Sequence, residues 1–457
     1  MNDIDRATQS VMDAHENAKN DPSRPQFHLL PPSMWMNDPN GLIYYNNKYH
    51  LFYQHNPFRA KWGPMYWGHA ESSDLIHWTH LQIALAPDKK KGEKYCFSGC
   101  CVDDDGIPTI LYTSIHSLLN VLYGGQTWIA TSDSDLIEWR RNPNNPIMKN
   151  SMHNITIRHW RDPYVWKENN VWYMVMGGQL TQPKRGAVFL YTSTDLYHWV
   201  YKGIFSEGDP NIHKKPWECP NLLKWDNNAV LIISPMDKVQ FSLVNLKQEY
   251  TNSSEWFIFD HGREFYAPQA IKHPHNEEKY LLWGWIKGGG IQDQWNGCFS
   301  IPRELELIDN RLKITPSSSI TQLRHHHRHF INQSAICNLH DGCGELILKI
   351  PQDVSFTIDI YQNPKNKFSI IYHPKSNSFI MGKEITEYHS LQEEITLHIF
   401  IDRSVIEAFF NYQECFTTRF YPLSYTDISI DCKVPGTELL SLDVWDLSGI
   451  INNYASK

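Results

Sequence analysis

A short phrase, Ser/Thr-x-Asp-Leu-x-x-Trp, occurs three times in the chain: SSDLIHW ending at Trp78, SDSDLIEW ending at Trp139 and STDLYHW ending at Trp199, at spacings of 61 and 60 residues. Self-similarity at a fixed period marks a fold built from repeated supersecondary units. Ser and Asp form turns after an apolar strand, and the Trp opens the strand that follows. A strand-turn-strand unit returning about every sixty residues suits the four-stranded blade of a β-propeller.

A second phrase keeps step with the first. Asp38-Pro39-Asn40-Gly41-Leu42-Ile43-Tyr44 followed by Lys48-Tyr49-His50-Leu51-Phe52-Tyr53 reads as strand, turn at Asn46-Asn47, strand. Asp162-Pro163-Tyr164-Val165-Trp166 with Val171–Met176, and Glu218-Cys219-Pro220-Asn221-Leu222-Leu223 with Ala229–Ile233, repeat it, and weaker copies begin near Ser98 and Tyr266. These starts, near 38, 98, 162, 218 and 266, predict a five-bladed β-propeller over residues 25–316. After it the pattern changes. Residues 317–329 are Ser/His-rich and read as a linker, with the run His325-His326-His327-Arg328-His329 solvated within it rather than a metal tract. Short alternating strands such as ELILKI, SFTIDIY and ITLHIFID then predict a C-terminal β-sandwich over 330–457, packed on the propeller because so apolar a sheet face would otherwise aggregate. Residues 1–24 form an N-terminal extension with a weak helical pattern, expected as a loose surface helix. The fold class is therefore all-β, propeller followed by sandwich.

Composition narrows the partners. Among 457 residues, 42 Lys+Arg against 50 Asp+Glu give a formal charge of −8 with no basic stripe, which argues against nucleic acid or an anionic membrane surface and for a small neutral ligand. The N-terminus lacks a basic region followed by an apolar stretch, and no run approaches 18 apolar residues, so neither a secretion signal nor a membrane span is expected. Nine Cys, two of them adjacent at Cys100 and Cys101, do not suggest a disulfide framework, and a reduced, cytoplasmic protein is expected. No Cys/His pattern has zinc spacing; His50, His55 and His69 are scattered, and neither metal nor cofactor is expected. The sequence leaves homo-oligomerisation open.

In a propeller the first strand of each blade lines the central channel, so residues opening those strands converge at one mouth. Asp38, Asp162 and Glu218 hold that place in three blades. An Asp before Pro often caps a turn and nothing more, but three acids in phase point to glycoside cleavage. That reaction needs one acid to protonate the leaving oxygen and another to attack or steady the cationic sugar carbon. Like charges held together also keep one member protonated near neutral pH.

The segments WMNDPNGL at 35–42, FSG at 97–99, WRDP at 160–163, WECP at 217–220 and HIFIDRSVIEAFFN at 398–411, in this order, resemble glycoside hydrolase family 32, the family of invertases and sucrose-6-phosphate hydrolases. The resemblance covers nearly the whole chain from residue 26. It implies that Asp38 is the nucleophile forming a covalent fructosyl-enzyme, Glu218 the general acid and then base, and Asp162 the stabiliser that binds fructose hydroxyls. It also implies a retaining reaction, with nucleophile and acid about 5–5.5 Å apart.

By the same resemblance, Asn37, Gln54, Ser98 and Arg161 supply hydrogen bonds, while Trp35, Trp62, Phe97, Tyr266 and Trp283 wall the fructose pocket, with Trp285 an alternative to Trp283. Arg161 is expected to keep the adjacent Asp162 ionised, and Cys219 to shape the pocket. Asp402, Arg403, Ser404 and Glu407 are read as structural groups at the domain interface. The expected activity is a retaining β-fructofuranosidase acting on sucrose, with Arg59, Lys61 and Lys287 as candidate cations for a 6-phosphate. The alternatives are exo-hydrolysis of inulin or levan, fructosyl transfer, an inverting arabinanase-like hydrolase and a non-catalytic sugar-binding propeller.

Overall fold

In the computed structural model, which describes residues 2–246, 255–290, 293–363, 365–387, 393–421, 427–434, 441–450 and 453–454, the chain is all-β apart from short helices. Each anticipated start lies in a long strand: Met34–Tyr45, Tyr95–Asp104, Ile157–Glu168, Glu218–Trp225 and Phe265–Lys272. Three of these open separate antiparallel sheets, beginning at Tyr95, Ile157 and Glu218. The other two belong to one ten-stranded sheet, because Trp295–Phe299 pairs with Lys279–Gly289 on one side and, in parallel, with Met34 and Trp35 on the other.

The repeated phrase makes the same turn between third and fourth strands each time. Leu75, Leu136 and Leu196 sit at φ 71°, 53° and 65° with buried side chains, and the indole N–H of Trp78, Trp139 or Trp199 donates to the carbonyl of that Leu at 2.8–3.0 Å. A left-handed Leu is strained. Burial of the Leu and the indole hydrogen bond hold it.

The first strands share another feature. Asp38, Asp162, Cys219 and Ala267 each precede a proline, which has no N–H for the ladder. Strand register shifts at each place, between Met36 and Pro39, Arg161 and Tyr164, Glu218 and Asn221, and Tyr266 and Gln269. Asp162, Cys219 and Ala267 take φ of 65°, 47° and 46°. Bulges of this kind bend a strand and re-aim its side chains. Here they fall where the candidate site residues stand.

Two six-stranded sheets form the C-terminal region, and their facing residues, among them Leu346, Leu348, Ile358, Ile360, Ile399 and Ile406, make one core. A different core runs from the first region into the second and includes Phe265, Phe299, Phe400, Val405 and Phe409. Along the same boundary, Asp402 accepts the backbone N–H groups of Gln26, Phe27 and His28 at 2.6–3.0 Å. Glu407 accepts from Ile301 N at 2.7 Å and from the Arg303 guanidinium at 2.6 Å, while Arg419 donates to Ser404 Oγ at 3.0 Å. Asp402 and Glu407 thus reach across the boundary, as their sequence motif suggested, while Ser404 meets Arg419 within the C-terminal region.

Two expectations need correction. The segment expected as a linker holds a tight helical turn, Ser318–Leu323, and a strand, Arg324–Phe330, that pairs with Ser441–Leu447. The His run is thus part of a sheet. The N-terminal extension is a capped helix, Asp3–Lys19, not a loose one: Ala7, Val11 and Ala18 are buried, and Ser33 Oγ donates to the Val11 carbonyl at 2.7 Å. Among the described residues no helix is long and apolar enough to cross a membrane.

Candidate active site

Asp38, Asp162 and Glu218 come from three sheets into one chamber. Cys219 links them: its backbone N–H donates to Asp162 Oδ2 at 3.0 Å, and its Sγ lies 3.6 Å from that oxygen and 3.7 Å from Asp38 Oδ2. Glu218 is its neighbour in the chain.

Each acid is held differently. Asp38 accepts hydrogen bonds from Ser98 Oγ at 2.6 Å, Gln54 Nε2 at 3.3 Å and Asn37 Nδ2 at 3.0 Å, and Asn37 is itself fixed by the Trp35 indole at 2.7 Å. Glu218 is held at both oxygens, by a guanidinium N–H of Arg161 on one and by the Tyr266 hydroxyl, at 2.6 Å, on the other. The Tyr266 hydroxyl in turn accepts from Met236 N at 2.9 Å. The Asp162 backbone N–H donates to Thr113 Oγ1 at 3.0 Å.

These surroundings set the charges. Burial raises Asp38 above the ordinary carboxylate range and the nearby Glu218 adds to this, while the bonds from Ser98 and Asn37 pull it back. Asp162 is pushed up to about 7, first by burial and then by Glu218 and Asp38, against the pull of Arg161 and the Cys219 N–H. Arg161 favours the ionised form of Asp162, as expected, but burial and the other two carboxylates outweigh it. Its guanidinium is bonded to Glu218, and its Nε is 3.9 Å from Asp162. Burial, then the three carboxylates, drives the Cys219 thiol well above its usual value, so it stays a neutral S–H.

Around the acids, Phe97 is buried and Trp62, 49% exposed, stacks on Tyr95 at 5.5 Å and meets Phe97 edge-on at 6.5 Å, forming a rim. Trp35 packs against Trp285 at 5.7 Å. Trp283, by contrast, is 2% exposed and sits edge-on to Trp78 in the core. Trp285, the alternative to it, stands directly opposite Tyr266 across the ladder and beside Trp35. Of the three cations anticipated, Lys61 is paired with Asp293 at 3.1 Å and Arg59 is exposed, whereas Lys287 Nζ lies 4.2 Å over the Tyr266 ring and feels the charges of Asp38 and Glu218. Tyr95 and Thr113 were not singled out from the sequence. Tyr95 stands two residues before Phe97, a signal within reach, while nothing local marks Thr113.

Three carboxylates brought together, their oxygens held by donors from Ser98, Gln54, Asn37, Arg161 and Tyr266, are the kind of groups that glycoside cleavage uses. The chain matches the glycosyl hydrolases family 32 N-terminal domain over residues 28–316 and the family 32 C-terminal domain over 318–446. It belongs to glycoside hydrolase family 32 and is a glycoside hydrolase. It is 32% identical to the sucrose-6-phosphate hydrolase of Zymomonas mobilis over 433 residues, covering 84% of this chain and 83% of that one. The raffinose invertase of Escherichia coli is 30% identical, with 87% and 89% covered. Among solved structures, a Bombyx mori GH32 beta-fructofuranosidase superimposes with a TM-score of 0.86 at 27% identity, covering 99% of both chains.

Proposed function

We propose that the chain is a retaining β-fructofuranosidase that hydrolyses sucrose, or its 6-phosphate, through a covalent fructosyl-enzyme. The observation that carries this reading is the contact of Cys219 with both Asp38 and Asp162, which brings those acids together beside Glu218. A mutant of the Bombyx mori enzyme has been solved with sucrose, and the Zymomonas mobilis relative is a sucrose-6-phosphate hydrolase.

Asp38 attacks the anomeric carbon, with Ser98, Gln54 and Asn37 fixing its oxygens. Glu218 passes a proton to the glycosidic oxygen and then takes one from the attacking water, steered by Arg161 and Tyr266. Asp162 accepts hydrogen bonds from fructose hydroxyls, which strengthen as the ring flattens toward the oxocarbenium ion. Trp35, Trp62, Phe97 and Trp285 give the apolar wall. Lys287 is the cation best placed for a phosphate on the departing sugar, which favours the phosphorylated substrate.

The reading also carries a five-bladed count, in which the ten-stranded sheet supplies the first and last blades joined by Trp295–Phe299, and a division into propeller and sandwich near residue 317. All nine cysteines are free, which supports a reducing, cytoplasmic setting.

The test is release of fructose from sucrose, sucrose 6-phosphate, raffinose and inulin at equal concentration, with glucose, glucose 6-phosphate and melibiose as the co-products of the first three. Asp38→Asn and Glu218→Gln should each abolish release from the best substrate while remaining folded. Silence on all four sugars would overturn the reading.

A further inference from the structure

The run His325-His326-His327-Arg328-His329 lies on Arg324–Phe330, the strand that ends its six-stranded sheet. Among the described residues its ladder partner is Ser441–Leu447, and in that antiparallel register His329 stands directly opposite Asp443, on the same face. Between His325 and Arg328 the register is irregular and His326 takes φ 48°, a local distortion that turns the His327 ring toward the same carboxylate.

The outcome is a converging donor set. His327 Nε2 and His329 Nδ1 each lie 2.8 Å from Asp443 Oδ1, and all three donor atoms fall within 4.8 Å of one another. The His327 ring is fixed by lying flat on Trp445, with centroids 4.7 Å apart and planes 10° from parallel. With His327 48% exposed and His329 42% exposed, solvent reaches the site directly.

Two imidazole nitrogens and one carboxylate oxygen suit borderline divalent ions, with water completing the shell. Bonds to such an ion are about 2.0–2.2 Å long, so adjacent donors on one ion lie about 3 Å apart, and small side-chain rotations admit it here. We propose that His327, His329 and Asp443 form a binding site for a divalent transition-metal ion of the Zn²⁺, Ni²⁺ or Cu²⁺ class. The ion ties the edge strand of the sandwich to its neighbour across the irregular stretch of ladder. A second group, His325, His326 and Asp446, is the weaker choice, because Asp446 already accepts the Arg328 guanidinium at 2.8 Å.

The experiment uses the full chain without an affinity tag, stripped with a chelator and titrated with ZnCl₂ by calorimetry and with CuCl₂ by tryptophan fluorescence. About one ion per chain should bind, and His329→Gln or Asp443→Asn should weaken binding at least about tenfold, while His326→Gln leaves it unchanged. Trp445→Phe should keep calorimetric binding yet lose part of the copper quenching, since Trp445 stacks on a ligand. Zinc should also raise the melting temperature of the unmodified chain and fail to raise that of Asp443→Asn. Sucrose cleavage, unaltered in every variant, reports that each is folded. Absence of zinc binding, binding that survives both His329→Gln and Asp443→Asn, loss of binding in His326→Gln, or full quenching in Trp445→Phe would each overturn the proposal.

Discussion

His28 and Asp402 are separated by 374 positions in the chain, yet His28 Nδ1 lies 2.7 Å from Asp402 Oδ2 in a fully buried contact. The other ring nitrogen of His28 lies 2.9 Å from Glu407 Oε1. One imidazole thus bridges two carboxylates of the sandwich and holds the start of the catalytic region against it.

That bridge makes stability depend on pH in a definite direction. Burial lowers His28, but its bonds to Asp402 and Glu407 more than offset this and raise it above 6.5, so its contribution is complete in acid and fades as pH climbs from about 6.5 through the raised value. Burial likewise opposes the charges of Asp402 and Glu407. Their bonds to His28 and, for Glu407, the charge of Arg303 hold both below 3.8 and 4.5, so their contribution is complete above those values and fades as pH falls. The melting temperature should therefore be highest in the mildly acidic range and decline on both sides. His28→Gln should remove the alkaline decline, and Asp402→Ala should cost about 3–5 kcal/mol by leaving its buried donors unpaired. Calorimetry from pH 3 to 9 checks this; wild-type stability in both variants would refute it.

Catalysis should gain as pH climbs to neutrality. Asp162 is pushed up to about 7, first by burial and then by its carboxylate neighbours, and its ionised form is the one that accepts fructose hydroxyls and steadies the cationic carbon. kcat/KM for sucrose should therefore rise with an apparent pKa near 7. A profile flat from about pH 5 to 8 would contradict this.

Ser98→Ala should shift the limb set by Asp38. The Ser98 hydroxyl stabilises the ionised Asp38, so without it the proposed nucleophile keeps its proton to higher pH and the acid limb of kcat/KM moves up. The same pH series on the variant measures the displacement. An unmoved limb would mean that Asp38 is not the group being read.

The two neighbouring tryptophans should separate cleanly. Trp283→Ala opens a hole in the core against Trp78 and should cost about 3–5 kcal/mol in stability. Trp285→Ala strips the wall beside Trp35 and should lower kcat/KM about tenfold while moving the melting temperature little. Denaturant unfolding alongside steady-state kinetics distinguishes them, and a reversed pattern would return the wall role to Trp283.

That last pair also shows where sequence reading stops. Three of the five strand starts were legible because Asp-Pro and Glu-Cys-Pro interrupt apolar runs with a residue that cannot pair, a purely local signal, and the other two only because they keep the same spacing. Trp283 and Trp285 lie two apart on one strand and share a face, and what divides them is about 6.6 Å along the strand, enough to set one on Trp78 in the core and the other on Trp35, which alternation cannot encode. The second partner of Arg161 is hidden for a related reason. Its neighbour in sequence, Asp162, is also 3.9 Å away in space, but its hydrogen bond goes to Glu218, 57 positions on. The His run read as a linker because an exposed edge strand carries no apolar alternation, and only its register against Ser441–Leu447 shows that it is sheet.

The parallel pairing of Met34 and Trp35 with Trp295 and Asn296 sets an order of events during synthesis. The strand that carries Asp38 is made some 260 residues before the neighbour that flanks its first residues. Asn453 and Tyr454 pair with Thr79 and His80, so the first sheet gains that strand 374 residues after the one it pairs with. Nascent chains halted before Trp295 should therefore leave Met34 and Trp35 on an unpaired sheet edge, the state most exposed to aggregation and to chaperone capture.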